Sequence, residues 1–114
     1  MPVNRVLAAL AVADVDSELH WYERLLGRPA DALPMEGLAE WHFPQSGVIQ
    51  LVEDAERSGR SLLTLNVDDL DRELATLRER RLDPGAIDDT TSDKVLFATV
   101  TDPEGNTITL VEQR

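Results

Sequence analysis

The feature that most limits what this chain can fold into is that it repeats itself. Slid by 55 residues, "LAVADVDSEL" (Leu10 to Leu19) lies over "LNVDDLDREL" (Leu65 to Leu74), with six of ten positions identical. A slide of 59 sets Pro44 on Pro103, Ile49 on Ile108, Leu51 on Leu110, and Val52 and Glu53 on Val111 and Glu112. The change of offset is a loop-length difference between two copies of one module. At 114 residues the chain holds one core of ordinary size, and two separate cores would be hard to fill. The expected organisation is a single domain, with module one over about 1–53, a polar linker over 54–61 and module two over about 62–114.

Each copy opens on an apolar run, Val6 to Val12 or Leu62 to Val67, that suits a strand covered on at least one face. A helix follows. In the first copy Asp14 or Asp16 can cap it, Val15, Leu19, Tyr22 and Leu26 recur at helical spacing, and Gly27 offers a left-handed stop. In the second, Asp69 caps and Leu70, Leu74 and Leu77 carry the stripe up to Asp83-Pro84-Gly85. Three shorter strands complete each copy: about Asp31 to Pro34, Leu38 to Phe43 and Val48 to Val52 in the first, and Gly85 to Asp88, Val95 to Thr101 and Thr107 to Val111 in the second. "DPEGN" at Asp102 to Asn106 has the chemistry of a turn.

A βαβββ unit covers one sheet face with its helix and leaves the other bare. Two such units paired give an α+β fold: a curved mixed sheet with helices outside and a concave cleft, the default ligand site.

Composition excludes several function classes. The net charge of −11 repels phosphate backbones and anionic lipid, so neither nucleic acid nor membrane is an expected partner. No apolar segment approaches the ~18 residues of a spanning helix, and no basic stretch leads into a long apolar run. With no cysteine there are no disulfides, thiolate nucleophiles or zinc–thiolate sites, which fits a reducing, cytoplasmic compartment.

"LAVADVDSELHWYERLLG" together with "TDPEGNTITLVEQ" resembles the vicinal oxygen chelate superfamily, which includes glyoxalase I, bleomycin-resistance proteins and extradiol dioxygenases. The resemblance covers nearly the whole chain and includes its duplication. It implies paired βαβββ modules, commonly completed in a homodimer, and in the enzymes one divalent metal held by the first and last strands of each module. Carried over position by position, the first-strand ligands fall on Leu7 and Leu62 and the last-strand ligands on Gln50 and Thr109. Leucine donates nothing to a metal, and Gln and Thr are weak neutral ligands where Zn²⁺, Ni²⁺ or Fe²⁺ favours imidazole and carboxylate. No metal or other cofactor is therefore expected.

Strand alternation selects the residues that share the cleft with those positions: Leu7, Ala9 and Ala11; Val48, Gln50 and Val52; Leu62, Thr64 and Asn66; Thr107, Thr109 and Val111. This is an apolar lining with a few amides and hydroxyls. If the offset of 59 holds through "EWHF", Glu40 and His42 face the cleft with Trp41 and Phe43 behind; a one-residue bulge would reverse them and make the aromatics a ligand platform. His42 is of a residue type suited to a general base, although such a residue near an edge is commonly just solvated. His20 lies off the helix stripe, Trp21 and Tyr22 suit core packing, and Asp88, Asp89 and Asp93 lack the ordered ligand series of a calcium loop.

Three functions follow as expectations. The first is metal-free binding of a small, largely apolar molecule, for sequestration or sensing. The second is a metal-dependent lyase, isomerase or dioxygenase using residues such as Glu40, His42 and Gln50. The third is a metal-free acid–base enzyme using Glu40 and His42.

Overall fold

The apolar stripes of the two copies meet in one shared core. A computed structural model describes residues 1–114. In chain order the elements are β1 (Leu7–Val12), α1 (Val15–Leu26), β2 (Ala32–Met35), β3 (Leu38–Phe43), β4 (Gly47–Glu53), β5 (Leu62–Asn66), α2 (Leu70–Glu79), β6 (Val95–Thr101) and β7 (Thr107–Gln113). They form a four-stranded sheet ordered β1-β4-β3-β2 and a three-stranded sheet ordered β5-β7-β6. In each sheet the module's first strand runs parallel to its last, and the other pairings are antiparallel. The duplicated α+β architecture is present.

One expected strand is not. Gly85 to Asp88 reduces to a single bridge between Asp88 and Phe97, with the Gly85 N–H donating to the Thr99 carbonyl at 2.8 Å. Local bonding explains the loss. The Asp88 carboxylate accepts from the Thr90 and Thr91 N–H groups and from the Thr91 hydroxyl, so the chain curls away from the ladder. These bonds, the Thr91 hydroxyl first, hold the Asp88 carboxyl down at about 2. Its lone pairs serve the turn.

Each helix begins under two carboxylates. Asp14, rather than Asp16, caps α1 by accepting from the Asp16 N–H, and Asp69 caps α2 by accepting from the Arg72 N–H. The glutamate ending each "LVE" adds a second acceptor: Glu53 takes the Val15 N–H at 3.2 Å and Glu112 the Leu70 N–H at 2.7 Å. A carboxylate at this end answers both the unpaired donors and the helix dipole. It also ties the last strand of each module to its own helix. At the far ends Gly27 (φ 79°) closes α1, while Arg24 and Arg80 exchange bonds, each guanidinium donating to the other's carbonyl.

Nineteen buried residues make one cluster that draws on both modules, including Leu10, Tyr22, Trp41 and Leu51 from the first and Leu63, Leu74, Leu77 and Ile108 from the second. Trp21 and Tyr22 pack edge to face at 4.9 Å, which bears out their expected place in the core. A core this continuous explains why neither module is expected to stand alone.

The seam between the sheets is polar. The backbone of β1 at Ala11 has its N–H accepted by the Ser61 hydroxyl (2.9 Å) and its carbonyl served by the Asn106 amide (2.8 Å). Asn106 is fully buried; its side-chain oxygen accepts from the Ser61 N–H, and its amide also donates to Asp102. Asp102 in turn accepts the Tyr22 hydroxyl at 2.6 Å. The outer edge of β1 at Ala11 is thus sealed by side chains of the linker and the second module instead of by another strand. Glu18, 6% exposed, lies beside this network. Burial first, and then the Glu104 and Asp102 carboxylates, push it up to about 7. Burial and the same Asp102 hold the Tyr22 hydroxyl protonated by raising its pKa well beyond the ordinary phenol range.

Candidate functional site

Alternation along the strands puts one row of side chains into the core and leaves the other on an open face. On the first sheet the open row carries Leu7, Ala9 and Ala11 on β1, Val48, Gln50 and Val52 on β4, and Glu40 and His42 on β3, which the register sets opposite Gln50 and Val48. Trp41 is fully buried on the other side, its indole N–H donating to the Arg28 carbonyl, and Phe43 packs there under the Arg28 guanidinium. No bulge interrupts β3 against β4, so the aromatics form no platform on the open face.

Glu40, His42 and Gln50 make direct contact. One Glu40 oxygen lies 3.0 Å from His42 Nε2, and the other accepts from the Gln50 side-chain amide at 2.8 Å. The Gln50 bond, then the His42 bond, hold the half-buried Glu40 carboxyl below its usual range. Gln50 therefore serves as an orienting donor for a carboxylate of its own module.

The positions corresponding to metal ligands are all on the open faces. Leu7 is 43% and Leu62 82% exposed, Gln50 is committed to Glu40, and Thr109 lies between Thr64 and Thr99. Nowhere in the chain do three His, Asp or Glu side chains gather so that they could hold a metal ion. Two leucines, an amide and a hydroxyl do not fit a divalent cation that favours imidazole and carboxylate.

Of the open row on the first sheet, Ala9, Ala11 and Val52 border a concave space, and Leu7, Val48 and Gln50 do not. Val48 shares the open row but is only 4% exposed, covered outside the main core, so it presents little surface to a ligand. And the cavity does not run across both modules. A space of about 320 Å³ lies over Ala9, Ala11 and Val52 of the first sheet and is walled by Asp54, Arg57, Arg60 and Ser61. Leu62, Thr64, Asn66, Thr107 and Thr109 remain on the second sheet's open face, outside this space. Residues of the linker, not of the second module, form the rest of its wall. The linker's composition reads as a solvated connection, and only the folded path brings its arginines over β1 and β4. His20 is exposed on α1, where it meets Glu23, and takes no part.

The fold has known relatives. Residues 7–111 match the family model described as a glyoxalase-like domain. A glyoxalase/bleomycin resistance protein from Catenulispora acidiphila is 32% identical, with a TM-score of 0.86 over 96% of this chain and 98% of that one. An antibiotic-binding protein from a Streptomyces species shares the fold at 21% identity, TM-score 0.78, covering 100% of this chain and 99% of that one. Lactoylglutathione lyase from Agrobacterium tumefaciens shares it at 16% identity, TM-score 0.76, covering 98% and 96%. No curated protein sequence matches the chain. Its matched length, duplication and strand order together place this chain in the glyoxalase-like domain family of the vicinal oxygen chelate superfamily.

Proposed function

We propose that this protein binds a small, largely apolar molecule on the open face of its first sheet without a metal, in a sequestering or sensing role. One observation carries the reading: the four positions where metal-dependent relatives place ligands hold Leu7, Leu62, Thr109 and a Gln50 already bonded to Glu40. The cavity beside them is floored by Ala9, Ala11 and Val52, and its volume sits at the small end of ligand pockets, roughly 300–1,000 Å³. A neighbour in fold is an antibiotic-binding protein, which supports small-molecule binding.

A homodimer is part of this proposal. Val6, Leu7, Leu33, Met35 and Leu62 are all exposed apolar side chains, a burden that a second copy would relieve. Light scattering after size exclusion tests it, and a monomer at micromolar concentration would refute it. For binding, protein purified without chelator is expected to carry no stoichiometric Zn, Ni or Fe by elemental analysis, and to be stabilised in a thermal-shift screen by hydrophobic metabolites or antibiotics. Stabilisation by a metal alone would overturn the reading in favour of a metal-dependent lyase, isomerase or dioxygenase.

The Glu40–His42 contact favours a second reading, a metal-free acid–base enzyme in which Glu40 orients His42 as the base. Turnover of a cleft ligand with a bell-shaped pH–rate profile, abolished by His42→Ala and reduced by Gln50→Leu, is its signature. Binding unaccompanied by turnover in both variants and the parent would eliminate it.

A further inference from the structure

The wall of the cavity has a charge opposite to that of the protein. The chain carries a net charge of −11, with 11 basic residues against 22 acidic ones. Yet the space over Ala9, Ala11 and Val52 is walled by two arginines and one aspartate, together with Ser61. Arg57 meets Asp54 only loosely, at 3.7 Å, and its guanidinium donates no hydrogen bond within the protein. Arg60 spends one nitrogen, Nη2, on the Glu56 carbonyl and keeps its other donors. The Ser61 oxygen accepts from the Ala11 N–H, which leaves its own hydrogen available. Unspent donors of Arg57, Arg60 and Ser61 thus share the lining with an apolar floor and a single carboxylate, Asp54.

A second group of arginines shows that this arrangement is particular. Arg24, Arg28 and Arg80 surround a shallow depression at the helix ends whose lining contains no hydrophobic residue. Those guanidiniums already serve carbonyls and Asp31. There the guanidiniums are held by the protein itself, and no hydrophobic side chain offers a floor beside them.

Resting on the binding function proposed above, we infer that the ligand is an amphipathic anion: a compact apolar body lying on Ala9, Ala11 and Val52, with a carboxylate or similar oxyanion received by Arg57 and Arg60. The planar guanidinium fork matches a carboxylate, and a charge-assisted pair is stronger than a neutral hydrogen bond. Cationic molecules are disfavoured at this wall, although the surface as a whole would attract them.

Matched carboxylates and primary carboxamides on phenyl, naphthyl and cyclohexyl bodies provide the test, titrated into the full chain with amide chemical shifts as the readout. The acids are expected to shift Ala9, Ala11, Val52 and Ser61 and to bind about tenfold more tightly than their amides. Raising salt should narrow the gap. Arg57→Gln with Arg60→Gln should remove it while leaving the thermal midpoint in place, since both side chains lie at the surface. Equal binding of acids and amides on the cavity residues would overturn the anion inference and leave the binding function standing. Shifts confined to Arg24, Arg28 and Arg80 would overturn it as nonspecific attraction. If neither series moves any residue of the open face, the binding function falls with it.

Discussion

The two modules began alike and have diverged in opposite directions. In the first, the open face carries a carboxylate–imidazole–amide group, Glu40, His42 and Gln50, beside a small apolar floor. In the second, the corresponding strands carry Thr99, Thr101 and Thr109, and the polar investment has moved to the turn before β7. There Asp102 and Asn106 bond to each other, to Tyr22 and to the edge of β1. The equivalent hairpin of the first module closes with the same backbone bond, Ser46 N–H to the Phe43 carbonyl as Gly105 N–H to the Asp102 carbonyl, but has no such side chains. One copy gathers its polar groups on the open face of its sheet, and the other spends its own on holding the copies together.

The largest expected effect tests that division directly. Asn106→Ala strips partners from the Ser61 N–H, the Ala11 carbonyl and the Asp102 carboxylate, all at the seam. Unsatisfied buried groups of this kind cost about 3 kcal/mol together, read from urea unfolding. A loss below about 1 kcal/mol would mean that the shared apolar core alone unites the modules.

Next comes Glu18, whose counterpart at the offset of 55 is the partly exposed Glu73. The folded protein raises Glu18 from 4.5 to about 7, so between those values it binds a proton more tightly than the unfolded chain does. Its contribution to stability therefore falls as pH rises from about 4.5 to 7 and stays low above that window. Glu18→Gln should match the parent near pH 4 and exceed it by about 2 kcal/mol at pH 8. Glu73→Gln should shift stability by less than about 0.5 kcal/mol at either pH. A parent and Glu18→Gln variant with parallel pH profiles would remove the seam's acidic cluster from this account.

The smallest effect compares the two "LVE" glutamates. Glu112→Gln should cost about 1 kcal/mol and Glu53→Gln about half that, in line with their 2.7 and 3.2 Å bonds to the helix amides. Chemical denaturation of both variants decides the order. Equal costs would show that the dipole, which both share, outweighs the individual hydrogen bond.

The duplication, the helices and the inward row of each strand were legible because they rest on local rules: spacing of Leu and Val, an Asp before each helix, a Gly after the first. The orientation of Glu40 and His42 was legible as one of two alternatives, and Trp41, buried against Tyr22, decided it. Three features were not legible. The strand at Gly85 to Asp88 was lost to side-chain bonds from Asp88 that compete with a ladder. The glutamates of "LVE" looked like strand ends, and only the parallel pairing of first and last strands brings them under their helices. The polar linker gave no sign that its folded path would wall a space over β1 and β4.

The sequence by itself determined that two copies must share one core, because each copy repeats the same apolar pattern and neither is long enough to bury it alone. It also determined that the positions of a metal centre hold no suitable donors, since that follows from residue identity at aligned places. Which side chains meet across the fold was left to tertiary structure. The grouping of Glu40 with Gln50, the sealing of β1 by Asn106, and the cavity between β1, β4 and the linker all join residues distant in sequence. Such contacts depend on how sheets and loops pack in space, and no local periodicity encodes them.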